Sequence, residues 1–318
     1  MIIKDISLAK NILIESNLVA IPTETVYGLA ANAFDASAIA NIYLVKNRPQ
    51  FNPLIIHSNS LERFFNWGLK LPESALALAH AFSPGPITFV VPKSDAIPDL
   101  VTAGQNTVAI RIPNHPITLE LLGSLDFPLA APSANLSGSV SPTCAEDVEA
   151  QLGNRIGAIL DGGRCRVGLE STILSFVDNK PKLLRLGGLS IEKIEQVLKI
   201  KLDTTALINN ENPQAPGMMS RHYAPKTPLY LDAAENHLQE ANYNEMAFIG
   251  FKVKHPNIVG SNQIILSEKG DYAEAAQQLF AAIRMADSMG KKLIIAELLP
   301  AENLGLAIND RLKRAAVK

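Results

Sequence analysis

A chain of 318 residues that is 47% hydrophobic and 19% charged is neither disordered nor fibrous, and has room for one large domain plus a smaller one, or two of similar size. Its 29 Lys+Arg against 31 Asp+Glu leave a net charge of −2, so no overall basic field holds nucleic acid, and an RNA partner would need a local patch. Cys144 and Cys165 alone exclude a disulfide framework or multi-cysteine zinc site, no apolar run nears the roughly 20 residues a bilayer needs, and the Met1 end has no signal-like pattern, so the expected compartment is the cytoplasm.

Between residues 18 and 186, short β-rich runs alternate with helical-period segments. The runs are LVAI at 18–21, LIIH at 54–57, ITFVVP at 87–92, TVAIRI at 107–112, GAIL at 157–160 and STILSF at 171–176. Helical spacing of apolar residues occupies 36–47 and 117–125, and Ser83-Pro84-Gly85-Pro86 punctuates the chain before a strand. The class is α/β, and several strands follow one another too closely for helical crossovers, which predicts a mixed sheet. A final helix is expected near 191–201. Residues 203–228, rich in Asn, Pro, Thr and Gly, then read as a linker.

The pattern restarts at Leu229 with strand LYL, a helix to about 241, strands MAFIGF at 246–251 and QIIL at 263–266, a long helix over 272–289, strand KLIIAEL at 292–298, and a helix from about 304. This predicts a smaller Rossmann-like α/β unit, with no G-x-G-x-x-G to specify a dinucleotide. The expected organisation is a first domain over 1–202, a linker over 203–228 and a second domain over 229–318. The second domain shows no chemistry of its own and is expected to scaffold or dock partners.

No P-loop, H-E-x-x-H or G-x-S-x-G motif occurs, and none of the six histidines is paired at metal-ligand spacing. What stands out is polar residues near strand ends, where open α/β sheets place ligands. Thr23, Glu24, Thr25, Tyr27 and Gly28 follow LVAI. Lys46 and Arg48 leave a helix before Pro49, a forked grip suited to phosphate, with Asn52 and His57 beyond. Arg111 ends an apolar run, where an arginine is costly without an anion. Ser133, Asn135, Ser137, Ser141 and Thr143 supply hydroxyls and an amide, and Asp161, Glu170, Ser171 and Arg185 follow. Singly, each has a plain structural reading. Ser133 to Asn135 could cap a helix, Lys46 and Arg48 could form a solvated last turn, His57 could be structural, and Arg111 and Arg185 could pair with internal carboxylates.

Together, PTETVYGLAANAFD at 22–35, KNRPQFNPLIIH at 46–57, SPGPITFVVP at 83–92, VAIRIPNHP at 108–116, APSANLSGSVSPT at 131–143, DGG and GLESTIL at 161–174 and LLRLGGLS at 183–190 resemble YrdC-type threonylcarbamoyl-AMP synthases. PGMMSRHYAPKTPL at 216–229 and GLAINDRLKRAA at 305–316 resemble the extra segments of their long, two-domain form. The resemblance implies a twisted mixed-sheet YrdC-like domain and a nucleotidyltransferase reaction: L-threonine, bicarbonate and ATP give threonylcarbamoyl-AMP and pyrophosphate. The product feeds t6A modification of tRNAs reading codons that begin with A. Downstream threonylcarbamoyl-transferase proteins would pass it on, any direct tRNA contact being weak.

By matched motifs, the implied threonine pocket is Thr25, His57, Arg111, Ala131 and Ser171, with Tyr27 as a wall and Arg111 in a two-pronged grip on the carboxylate. The implied ATP contacts are Lys46, Arg48, Asn52, Thr107, Ser133, Asn135, Ser141 and Arg185. Of these, Lys46, Arg48, Ser133 and Asn135 are the candidates for the chemistry itself. Magnesium is expected through the ATP phosphates and water, with no dedicated protein ligands. Ser220, Arg221, His222 and Tyr223 are expected to fold back over the nucleotide as a lid, and His57 is a candidate acceptor of the amine proton if its ring faces the pocket.

Two other classes compete. A non-catalytic nucleotide or double-stranded RNA binding module of the same fold is disfavoured by 14 Lys+Arg against 16 Asp+Glu in the first 186 residues. Carbamoyl transfer in hydrogenase maturation, in related domains of much larger zinc-finger chains, is disfavoured by the two widely spaced cysteines.

Overall fold

The computed structural model describes residues 1–49, 51–177, 180–204, 207, 222–231 and 242–317. Two sheets organise them. The first runs in the order β1-β8-β2-β3-β7-β4-β6-β5-β9-β10. Its strands are β1 (Ile2–Ile3), β2 (Val19–Ile21), β3 (Gly28–Asn32), β4 (Ile55–His57), β5 (Ile87–Pro92), β6 (Thr107–Arg111), β7 (Leu129–Ala130), β8 (Ala158–Leu160), β9 (Thr172–Ser175) and β10 (Lys182–Arg185). Parallel pairs (β4 with β6, β5 with β9) alternate with antiparallel ones (β5 with β6, β9 with β10), the mixed sheet that the strand spacing predicts. The helices are α1 (Ile6–Ile14), α2 (Ala36–Lys46), α3 (Leu61–Asn66), α4 (Glu73–Phe82), α5 (Asp99–Thr102), α6 (Pro116–Ser124), α7 (Ala145–Leu152) and α8 (Ile191–Leu198).

Side chains alternate along a strand, and this divides the sheet into two unlike faces. Ile56, Ile110, Phe89, Val91, Leu174 and Leu183 join Ile39 and Ile42 of α2 and Leu78 of α4 in the main core. On the opposite face Val19, Ile21, Leu129 and Leu160 pack with Leu13 of α1 and Leu121 of α6, and beside them lies a small apolar patch of Ile55, Val90, Ala109, Ile173 and Leu184. His57 and Arg111 stand two residues beyond Ile55 and Ala109, so they share that second face.

The second sheet is wholly parallel, in the order β11-β14-β12-β13, from β11 (Leu229–Leu231), β12 (Met246–Gly250), β13 (Gln263–Ile265) and β14 (Leu293–Ala296), flanked by α9 (Tyr272–Ser288) and α10 (Gly305–Ala315). The helix expected before about 241 falls mostly on 232–241, outside the described residues. No helix of the described residues is long and apolar enough to cross a membrane.

One hydrophobic cluster bridges the two units, joining Val26, Val140 and Leu169 to Tyr223 and to Phe280, Ile283, Ile308 and Leu312. Gly168 lets the backbones meet. It takes φ +74°, and a Cβ there would lie 2.5 Å from the Cα of Gln277 on α9. Arg284 of α9 donates to the Ser141 carbonyl at 2.7 Å and the Thr143 hydroxyl at 2.9 Å, and pairs with Asp147 at 2.5 Å. These polar contacts fix the rotation of the apolar surfaces.

Candidate active site

The site is built across adjacent strands on this second face, at the end of its small apolar patch. His57 and Arg111 are register partners at the C-terminal ends of parallel β4 and β6. Beyond β5, Ser171 precedes β9, its hydroxyl 2.7 Å from that of Thr88 on β5. Arg185 should share the core face of Leu183 by alternation, but a register shift between these two residues turns it to the cavity side, as a β-bulge does. It grips the Ser171 carbonyl from Nε at 3.1 Å and from Nη2 at 2.8 Å.

These residues line a cavity of about 50 Å³ with Arg48, Ala131, Ser133, Glu170, His222 and Tyr223, and with Val26 and Ile55 as apolar wall. Three guanidinium groups thus face one carboxylate across one small space, which attracts anions. Burial lowers Arg48 and Arg185 to about 10, which leaves both charged at neutral pH. Burial, then the Arg111 charge, drives His57 down to about 3. With its Nδ1 3.1 Å from the Ile55 carbonyl, His57 is a neutral polar wall and too weak a base to take the amine proton.

The loop that carries Lys46 and Arg48 has a local cause. Asp35 caps the start of α2 by accepting from Ser37 and Ala38 N–H, and Asn47 ends the helix in the left-handed conformation at φ 51°. The reversal sends its two neighbours apart. Arg48 lines the cavity, anchored on the carbonyls of Asn52 at 3.2 Å and Pro53 at 3.0 Å. Lys46 lies just behind it, its ammonium 2.5 Å from both the Ser133 and Asn135 carbonyls and its pKa pushed well below the lysine range by burial and by Arg48. Neither is the solvated last turn of the plain reading, since both are buried.

Several expected contacts stand outside the cavity lining. Tyr27 turns its hydroxyl to the Gly163 carbonyl at 2.9 Å and accepts from Gly162 N–H at 3.1 Å, so it braces that loop. Asn135 spends its amide nitrogen on the Leu136 and Ser139 carbonyls, 2.8 Å each. Ser141 donates to Glu170 at 2.7 Å. Asn52 is buried against the Arg48 side chain. Thr107 lies four residues from Arg111 on the same strand face, about 13 Å away at 3.3 Å per residue. Thr25 is fully buried, its hydroxyl accepting from Arg111 Nη2 at 2.9 Å.

Arg111 is partly engaged within the fold. Nη2 donates to the Thr25 hydroxyl and lies 2.8 Å from Glu24 Oε1 in an ion pair without hydrogen-bond geometry, and Nε donates to the Gly85 carbonyl at 3.3 Å. Only Nη1 has no hydrogen-bond partner among the described residues. The plain reading of a buried pair and the functional one are thus both realised.

His222 and Tyr223 close the cavity from the linker side, while Ser220 and Arg221 lie outside the described residues. His222 N–H donates to the Arg314 carbonyl and Ala224 N–H to that of Gly138, 3.1 Å each, which pins this segment between the two units. Tyr223 adopts φ 64°, a strained value for a bulky side chain, and stacks on Phe280 at 5.3 Å between ring centroids. Burial holds His222 at about 3, and its buried Nδ1 has no partner among the described residues.

The second unit does supply a polar group, which sequence reasoning missed. Arg311 of α10 is fully buried, donates from Nε and Nη2 to Glu170 Oε2 at 3.1 Å each, and lies 5.5 Å from the Tyr223 ring centroid. Burial pushes Glu170 up, but Arg311, Arg185 and the Ser141 hydroxyl together outweigh it and hold the carboxyl below its usual range.

Among the described residues no cluster of three or more His, Cys, Asp or Glu could hold a metal ion. The carboxylate among the cavity residues, Glu170, already accepts from Ser141 and Arg311. This donor set suits an ion that arrives bound to phosphate oxygens and water.

Comparison with known proteins agrees with this architecture. The family model described as "Telomere recombination", for Sua5, YciO and YrdC proteins, matches residues 11–187, and that described as "Threonylcarbamoyl-AMP synthase, C-terminal domain" matches 189–317. Two relatives described as threonylcarbamoyl-AMP synthases are similar over nearly the whole chain. That of Pyrococcus abyssi is 40% identical over 98% of this chain and 94% of its own, and that of Bacillus subtilis 41% identical over 98% and 92%. The crystal structure of P. abyssi Sua5 complexed with L-threonine superposes with a TM-score of 0.89 at 38% identity, covering 98% of this chain and 94% of the other.

Proposed function

The chain belongs to the family of threonylcarbamoyl-AMP synthases in its two-domain form, and on that premise we propose that it condenses L-threonine, bicarbonate and ATP into L-threonylcarbamoyl-AMP and pyrophosphate. The observation that carries this reading is the convergence of Arg48, Arg111 and Arg185 on one enclosed cavity beside Ser171 and His57. Two anionic reactants can meet only where their charges are neutralised together.

Threonine's carboxylate takes Nη1 of Arg111, with its small side chain against Val26, Ile55 and Ala131. The amine attacks the bicarbonate carbon, the C–N bond forms as hydroxide leaves, and the amine proton goes with it to make water. One oxygen of the resulting carbamate attacks the α-phosphorus, and the bond to the β-phosphate bridging oxygen breaks to release pyrophosphate. Arg48 and Arg185 neutralise the phosphates, and Lys46 holds the loop carbonyls of Ser133 and Asn135 in place. No protein nucleophile is needed, and positioning with charge neutralisation carries the rate. Magnesium comes with ATP as part of the substrate.

At about 50 Å³ the cavity is far smaller than the roughly 300–1000 Å³ of ligand pockets, so His222 and Tyr223 withdraw to admit ATP and return to exclude water from the carbamate and the mixed anhydride. The adenylate then passes to a transferase acting on tRNA, which places the activity in the cytoplasm.

The test is pyrophosphate release with threonine, bicarbonate and ATP each omitted in turn. Release that needs all three supports the assignment. Nucleotide or RNA binding without release would replace it with a binding module.

A further inference from the structure

Arg111 sits where the substrate carboxylate is read, yet one of its own nitrogens is already committed to Glu24. The Glu24 side chain is 2% exposed, that of Arg111 6%, and the pair is 2.8 Å apart. The second oxygen of Glu24 accepts the Asn114 N–H at 3.0 Å, three residues beyond Arg111. The carboxylate therefore ties together the strand end and the turn that follows it.

We propose that Glu24 is a positioning residue that acts through Arg111: its buried charge, itself held by the Asn114 N–H, keeps Nη2 turned into the protein so that Nη1 is presented to the threonine carboxylate. This rests on the function proposed above and names a residue that the motif comparison left without a role. An arginine whose guanidinium is held by Thr25, Gly85 and the Glu24 charge is already oriented when the substrate arrives, so less side-chain freedom is lost on binding. An amide at position 24 can still accept the Asn114 N–H but loses the charge that pairs with Arg111, whereas an aspartate keeps the charge.

The experiment compares Glu24→Gln and Glu24→Asp with wild type in threonine- and bicarbonate-dependent pyrophosphate release, varying threonine and ATP separately. The inference expects Glu24→Gln to raise the threonine KM about tenfold with the ATP KM within twofold, and Glu24→Asp to stay within threefold of wild type for both. A threonine KM within twofold of wild type in Glu24→Gln, or equal rises in both constants, overturns it. Competition by L-threoninol, which lacks the carboxylate, gives a second readout on the same proteins. Its inhibition constant should stay unchanged in Glu24→Gln while threonine binding weakens, and parallel weakening of both overturns the inference. Should Glu24→Gln not fold, Glu24→Asp carries the test, and a threonine KM raised more than threefold there while the charge is kept overturns the inference. If wild type itself releases no pyrophosphate, the reaction assignment fails instead.

Discussion

Arg311 and Glu170 are 141 positions apart in sequence and meet with two guanidinium nitrogens on one carboxylate oxygen, 3.1 Å each. The pair joins the second unit to the cavity wall, because Glu170 lines the cavity and Arg311 also lies against the Tyr223 ring. It makes the C-terminal unit part of the active site's electrostatics.

Removing one partner of a buried pair leaves an uncompensated charge. Arg311→Met is therefore expected to lose about 3 kcal/mol of stability, and adding Glu170→Gln to regain about 1 kcal/mol or more. Guanidinium denaturation of the singles and the double measures this. Additive losses would show that the contact carries no coupling.

Tyr223 is expected to hold the cavity shut through its ring. Tyr223→Ala loses the stack on Phe280 and the contact with Arg311, so the ATP KM should rise about tenfold, and more pyrophosphate should appear per adenylate recovered as water reaches the intermediates. Steady-state kinetics with product quantification checks this. An unchanged ratio of pyrophosphate to adenylate would remove Tyr223 from the closing device.

Arg48 and Arg111 should separate the two substrates. Loss of a hydrogen bond to a charged group costs about 1.5–3 kcal/mol, so Arg48→Ala should raise the ATP KM about tenfold to a hundredfold, and Arg111→Ala chiefly the threonine KM. Lys46→Ala should weaken ATP use and also lower the melting temperature, since Lys46 ties together the Ser133 and Asn135 carbonyls.

His57 and His222 set a pH dependence. Both have folded pKa values near 3 against about 6.5 when unfolded, so below pH 6.5 the unfolded chain takes up protons that the folded chain refuses. Stability is therefore full above about pH 6.5 and declines as pH falls towards 3, by about 2 kcal/mol for each histidine at pH 5. Glu170, lowered from its usual range, still contributes at pH 5 and declines only below it. Denaturation midpoints at pH 7 and 5 decide. Equal midpoints would mean that both rings charge inside the fold.

The apolar runs marked β4, β5, β6 and β9 well, because these are rich in β-branched or aromatic residues and bounded by turn residues. β3 was hidden, since Gly28 to Asn32 reads GLAAN with no β-branched residue, and β7 spans two residues. Of the site, the motif residues nearest the strands, His57, Arg111, Ser171 and Arg185, do converge. Arg111's own partners were illegible, because Glu24 and Gly85 meet it only once three segments fold together. Arg311 lies in the segment 305–316 with no local mark of burial, and nothing local says that a helix buries an arginine to reach another domain's carboxylate. Thr107, matched by motif, stands at the other end of β6 from Arg111.

The central claim is that one cavity joins a carbamate made from bicarbonate and threonine to the α-phosphate of ATP. Supplying ¹³C-bicarbonate with unlabelled threonine and ATP and weighing the adenylate by mass spectrometry tests it directly. The account predicts a threonine–AMP adduct carrying a single ¹³C in the carbonyl between the threonine nitrogen and the phosphate. An unlabelled adenylate, or AMP and pyrophosphate formed at the same rate without threonine, would contradict it.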